Sequence, residues 1–156
     1  MDRGIEELLA RIRAVRHENV TATIEPRIGP VPANAKEAAS EIEAFLRRLE
    51  FALPNDVDAW WRLDKPAARE YLASVVCYHR AYEDEVVELA TAKQLADGFL
   101  SAFSGGAVHF TNAETAERNG HLSTHHWMRI TNATFDEGLV AMDEARIGIL
   151  WVEDED

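Results

Sequence analysis

The run Ile147-Gly148-Ile149-Leu150-Trp151-Val152 passes without a spacer into Glu153-Asp154-Glu155-Asp156. A short unbroken apolar run rich in β-branched residues fits a strand covered on both faces, not one with a face in water. The best strand of the chain therefore ends in its densest negative charge. This assigns the C-terminal third, 120–156, to β structure. The fold class follows from what precedes it, which is written mostly in helical period.

Ile5, Leu8, Leu9, Ile12 and Val15 form one stripe and predict an amphipathic helix over 3–17. Its acids lead and its bases follow, as the helix dipole favours. Pro26, Gly29, Pro30 and Pro32 make 19–32 an extended connection, with 20–24 as an edge strand. Asn34 and Glu37 form a capping box ahead of Ala38, Ala39, Ile42, Phe45, Leu46 and Leu49. Residues 53–55 close that helix and open a short one carrying Val57, Trp60 and Trp61, after which Asp64 and Pro66 start another.

From 66 to 103 the helical pattern has no strong breaker. A single helix of that length would run about 57 Å, against a radius of gyration near about 15 Å for a compact domain of this size. A break is expected at 83–85, with Asp84 capping the second helix; without it the domain is elongated and dimeric. Ser104-Gly105-Gly106 ends the helical part. Beyond it the sequence predicts a strand at 107–111, a single helical turn at 113–118, and strands at 124–130 and 139–142. A hairpin loop at 143–146 leads into 147–152. A meander of so few strands cannot stand alone. The expected fold is α+β in one domain, 1–156: a helical N-terminal two-thirds, 3–103, packed on one face of a small antiparallel C-terminal β-meander, 107–153.

Net charge is -12, and its distribution matters more than its sum. Residues 1–82 carry 12 Lys+Arg and 13 Asp+Glu, while 83–156 carry 4 and 15, so -1 and -11 make up the total. Nucleic acid is disfavoured as a partner, because phosphate binding needs a cationic footprint. A basic protein is favoured. The single Cys77 has no cysteine to pair with, which suits a reducing, cytoplasmic setting and a buried, inert thiol. No membrane association is expected, since no apolar run approaches the roughly 20 residues of a span and the acidic N-terminus is unlike a signal peptide.

Chemistry-bearing motifs are sparse, and no cofactor is implied. His109, His121, His125 and His126 lie close in sequence, but a strand sends His125 and His126 to opposite faces. His121 and His125 with a carboxylate such as Asp136 are the ligands of an alternative reading, a metal-binding protein or metal-dependent enzyme. His79 and Glu83, four apart on a helix, fit an ordinary helix contact better than an acid/base pair. No GxSxG and no phosphate-cradling glycine loop is present.

Carboxylates remain. Glu153, Asp154, Glu155 and Asp156, with Trp127 and Trp151 as aromatic anchors and Trp61 as a third, form the expected partner-binding face. The fragment Leu53-Pro54-Asn55-Asp56, following the helix that contains Ile42 and Leu49, is similar to a stretch of the immunity superfamily typified by the yeast cell-wall regulator Smi1. The likeness covers this short fragment alone, and the glycine-rich follow-on of that family is absent. Size, acidity and lack of catalytic motifs resemble small bacterial inhibitor or immunity proteins that neutralise a basic toxin. The expected function is of that type, with a dimerisation module built on the long helical stretch as a third reading.

Overall fold

The computed structural model describes residues 2–16, 20–53, 60–79, 82, 84–118, 121–127, 130–131, 133 and 135–155, with backbone alone for 113–118 and 121–127. The elements in order are α1 (Arg3–Val15), β1 (Val20–Pro26), α2 (Ala35–Arg48), β2 (Trp61–Leu63), α3 (Lys65–Cys77), α4 (Leu89–Ser101), β3 (Val108–Thr111), β4 (Ala113–Arg118), β5 (His121–Trp127), β6 (Phe135–Met142) and β7 (Arg146–Asp154). The architecture is α+β: four helices and a five-stranded antiparallel sheet of order β1-β7-β6-β3-β2, with β4 and β5 pairing separately.

This overturns the expected small C-terminal meander with helices on one face. Two of the five strands, β1 and β2, come from the N-terminal half and form both edges of the sheet, and helices cover both of its faces. The pleat shows how. Leu139, Ala141, Leu150 and Val152 point to one side, where they join Ala22 and Ile24 of β1 and the buried faces of α1, α3 and α4. Val108, Phe110, Val140, Met142, Ile147, Ile149 and Trp151 point to the other, against Ala38, Ile42, Phe45 and Leu46 of α2. Burying each large apolar side chain contributes about 1.5–3 kcal/mol, so two filled faces stabilise far more than a one-sided meander could. The continuous apolar run in β7 reflects this double burial.

Local signals were read well where they were self-contained. Asn34 caps α2, its Oδ1 accepting the Glu37 N–H at 2.9 Å, while Glu37 reaches back one residue further than a capping box requires, to the Ala33 N–H at 3.0 Å. Asp64 caps α3 through the Ala67 N–H at 2.8 Å. The break after α3 is present, but it is a full reversal. Tyr78 bridges Glu85, and the Val86 and Val87 N–H groups donate to the Cys77 carbonyl. Glu85, not Asp84, supplies the carboxylate that accepts the Leu89 N–H.

Two expectations fail for one reason. Residues 61–63 form β2, paired with β3, where a short helix was expected, and 113–118 form β4, paired with β5, where a helical turn was expected. Short segments take the structure their neighbours hydrogen-bond into. Val57, and Leu53-Pro54-Asn55-Asp56 beyond its first residue, lie outside the described residues, as do Glu83, Asn119 and Gly120. α3 is buried all round from Tyr71 to Cys77, because the sheet, α4 and the backbone of β5 all lie against it. Among the described residues no helix is long and apolar enough to cross a membrane.

Gly138 sits opposite Trp151 at the centre of the β6–β7 ladder. A Cβ there would collide with the Leu150 carbonyl and come within 2.8 Å of the Trp151 ring, which lies across the glycine. At Gly148 the nearest atoms belong to side chains, Phe103 Cζ at 2.7 Å and Ile24 Cγ1 at 2.8 Å, with the Thr23 carbonyl further off at 3.1 Å. Gly138→Ala is therefore expected to destabilise the fold by about 3 kcal/mol or more and Gly148→Ala by clearly less, because backbone cannot step aside as side chains can. Urea denaturation of the two variants measures the difference.

Candidate binding site at the acidic end of the sheet

The acidic end is the open end of the β6–β7 ladder, away from its hairpin turn, and its geometry follows from the pleat. Successive residues of a strand face opposite sides, so a run of acids is dealt alternately to the two faces. Asp136 and Glu153 are cross-strand partners on the α2 side, whereas Glu137 and Asp154 face α1 and α3. The charge run therefore does not form one surface.

On the side of α1 and α3 the acids are interior. The Arg16 guanidinium, just past α1, donates through Nη2 to Asp154 Oδ1 at 2.9 Å and Oδ2 at 2.7 Å, with side chains 4% and 0% exposed. His79 Nε2 lies 3.9 Å from the same carboxylate and its ring stacks on Tyr82 at 5.1 Å. Nearby, Tyr71 donates to Glu137 at 3.5 Å, and Thr111 donates to the Gly138 carbonyl at 2.6 Å. Asp154, expected on the docking face, is committed to this pair. Trp151, expected as an anchor, is fully buried edge-on to Trp60 at 6.3 Å. Neither can meet a partner without unfolding the ladder. Trp61 is half-buried in β2.

On the α2 side an open pocket of about 420 Å³ is lined by Thr21 of β1, residues Leu49, Glu50, Phe51 and Ala52 beyond α2, Thr131, Ala133, Glu153 and Glu155. Three of these carry carboxylates and none carries a basic group. Glu153 and Glu155, both named from the sequence, thus share one cavity. Burial and the neighbouring charge of Glu155 push the Glu153 carboxyl above its usual range. Glu50 joins them from far away in sequence, held at φ 68 in the left-handed region where α2 ends. No sequence signal pointed to it. Asp156 lies outside the described residues, as do the side chains of Trp127, His121 and His125.

Asp136 forms the floor behind Glu153. It is fully buried, accepting from Asn112 Nδ2 at 3.1 Å and from the backbone N–H groups of Ile130, at 2.9 Å, and Thr131. Burial pushes its carboxyl up to about 6, against the opposing effect of these hydrogen bonds, with the Glu153 charge adding to the rise. Its acceptor positions are spent on anchoring 130–131, which leaves it poorly placed to ligate a metal with His121 or His125. Among the described residues no three His, Cys, Asp or Glu side chains gather as metal ligands. His109 is buried and held below the usual histidine range by that burial, against the raising effect of its bond to the Leu63 backbone. Asp143 closes the β6–β7 hairpin: burial alone would raise its carboxyl, but the N–H groups of Ser104, Ala145 and Arg146 hold it low. Cys77 is buried, its thiol donating to the Val87 carbonyl.

Comparison with protein-family models, with curated proteins and with solved structures returns no match to this chain.

Two measurements probe the buried charges. Arg16→Met strands Asp154 in the interior and is expected to cost about 3–5 kcal/mol, whereas the double variant Arg16→Met/Asp154→Leu recovers most of that loss, as chemical denaturation will show. Asp136 has a folded pKa of about 6 above its unfolded value of 3.8, so the native state takes up a proton as pH falls through 6. The group therefore favours the fold below the unfolded value, and that contribution is lost as pH rises through about 6. Asp136→Asn, measured against wild type, is expected to be relatively more stable at pH 7.5 than at pH 4 by about 2 kcal/mol.

Proposed function

We propose that this chain is a binding protein of the inhibitor or immunity type, which docks a basic protein partner at the acidic end of its sheet. The observation that carries this reading is the pocket bearing Glu50, Glu153 and Glu155, with no basic residue among the described residues of its lining. A lysine or arginine entering it would lay its aliphatic stem along Leu49 and Phe51 and bring its charge among the carboxylates. Its charge would also offset the repulsion from Glu155, which adds to the effect of burial in raising the Glu153 carboxyl. The net charge of -12 steers a cationic partner toward the molecule from a distance, and the pocket gives that attraction an address.

Titration of isotope-labelled protein with a short arginine-rich peptide tests the reading. The expected result is amide shifts confined to Thr21, 49–52, Thr131, Glu153 and Glu155. These should fade between about 50 and about 500 mM salt and disappear in Glu153→Gln/Glu155→Gln. Shifts spread over the surface, or binding that ignores salt and the double variant, would reject it.

A further inference from the structure

We propose that Asp136 is a proton-operated latch on the acidic pocket: ionised, it holds the 131–133 wall in place around a cationic side chain of the partner, and protonation releases wall and partner together. The inference rests on the pocket being the docking site and adds how that site is regulated.

The pleat and a short hydrogen-bonded relay place Asp136 for this role. It stands directly across from Glu153 in the β6–β7 register, on the same face of the sheet, where cross-strand Cβ atoms lie roughly 5 Å apart. It is fully buried, so it acts on a bound partner through its neighbours and not by contact. Its Oδ2 accepts the N–H groups of Ile130, at 2.9 Å, and Thr131, while Oδ1 accepts from Asn112 Nδ2 at 3.1 Å. The Thr131 hydroxyl bonds to the same carboxylate, and its oxygen accepts the Ala133 N–H at 3.0 Å. Thr131 and Ala133 both line the pocket. One buried carboxylate therefore anchors this wall from behind. Hydrogen bonds to an ionised acceptor are roughly twice as strong as those to a neutral one, so a proton on Asp136 weakens the whole relay at once.

The same proton changes the charge beneath the pocket. Asp136 faces Glu153 of β7, with Glu155 and Glu50 beyond it in the lining. From the end of β3 and from 130–131 it meets the neutral donors Asn112, Ile130 and Thr131, and Glu137 points to the other face. Burial first, and the Glu153 charge after it, push the Asp136 carboxyl up to about 6. A cation seated among the pocket carboxylates favours the ionised form and lowers that value. By linkage, ionised Asp136 tightens the hold on the cation by the same factor. Binding is then strongest above pH 6 and weakens as pH falls through it, whereas an anchor with a purely structural role would leave affinity indifferent to its protonation.

The test uses the full chain, isotope-labelled, and the arginine-rich peptide, whose charge stays constant over this range. In the free protein the Ile130, Thr131 and Ala133 amides are expected to titrate together with a midpoint near pH 6 and to exchange faster below it. Saturating peptide should move that midpoint to lower pH. Calorimetry at low salt is expected to give binding about 5-fold or more weaker at pH 5 than at pH 7.5. Asp136→Asn, which keeps the shape and cannot ionise, should bind at both pH values about as weakly as wild type does at pH 5. Thr131→Val, which cuts the relay and leaves Asp136 ionisable, should weaken binding at pH 7.5 while the Ile130 amide still titrates. Equal wild-type binding at the two pH values overturns the latch and leaves the pocket reading standing. So does a pH dependence that survives unchanged in Asp136→Asn, which would assign it to Glu153, or wild-type affinity in Thr131→Val. Absence of peptide binding at pH 7.5 overturns both readings.

Discussion

The close approach of β6 and β7 at Gly138 and Trp151 is the contact on which the molecule depends. With no side chain at 138, the indole lies across the neighbouring strand and fills the α2 side of the sheet, while Leu139, Leu150 and Val152 fill the other. An antiparallel pair buried on both faces has no solvated side to lose, so each helix layer stabilises the sheet that the other packs on. β1 and β3 add to the outer edges of this pair.

At one end the pleat converts a run of acids into two different environments. Asp154 becomes half of a buried ion pair that locks α1 to the last strand, a role in which a charge contributes specificity more than net stability. Glu153, one residue earlier, emerges on the other face beside Glu50 and Glu155. The same alternation puts Asp136 beneath the pocket as an anchor for 130–131 and Glu137 beside Tyr71. Negative charge at this end is therefore partly structural cement and partly pocket lining.

What could be read from the chain alone was local: the helix of α1, the capped starts of α2 and α3, the break between α3 and α4, and the doubly buried strand at 147–152. Each rests on contacts within a few residues or on a period that side chains impose directly. Pairing partners were not legible, because nothing in Val20–Pro26 names β7 as its neighbour, and Trp61–Leu63 is a strand only because β3 lies alongside. The site divided in the same way. Glu153 and Glu155 were visible as charge, whereas the burial of Asp154 and Trp151 and the arrival of Glu50 are long-range events. Sequence records what a residue is, but burial and partnership depend on which distant segments share its face, and packing alone decides that.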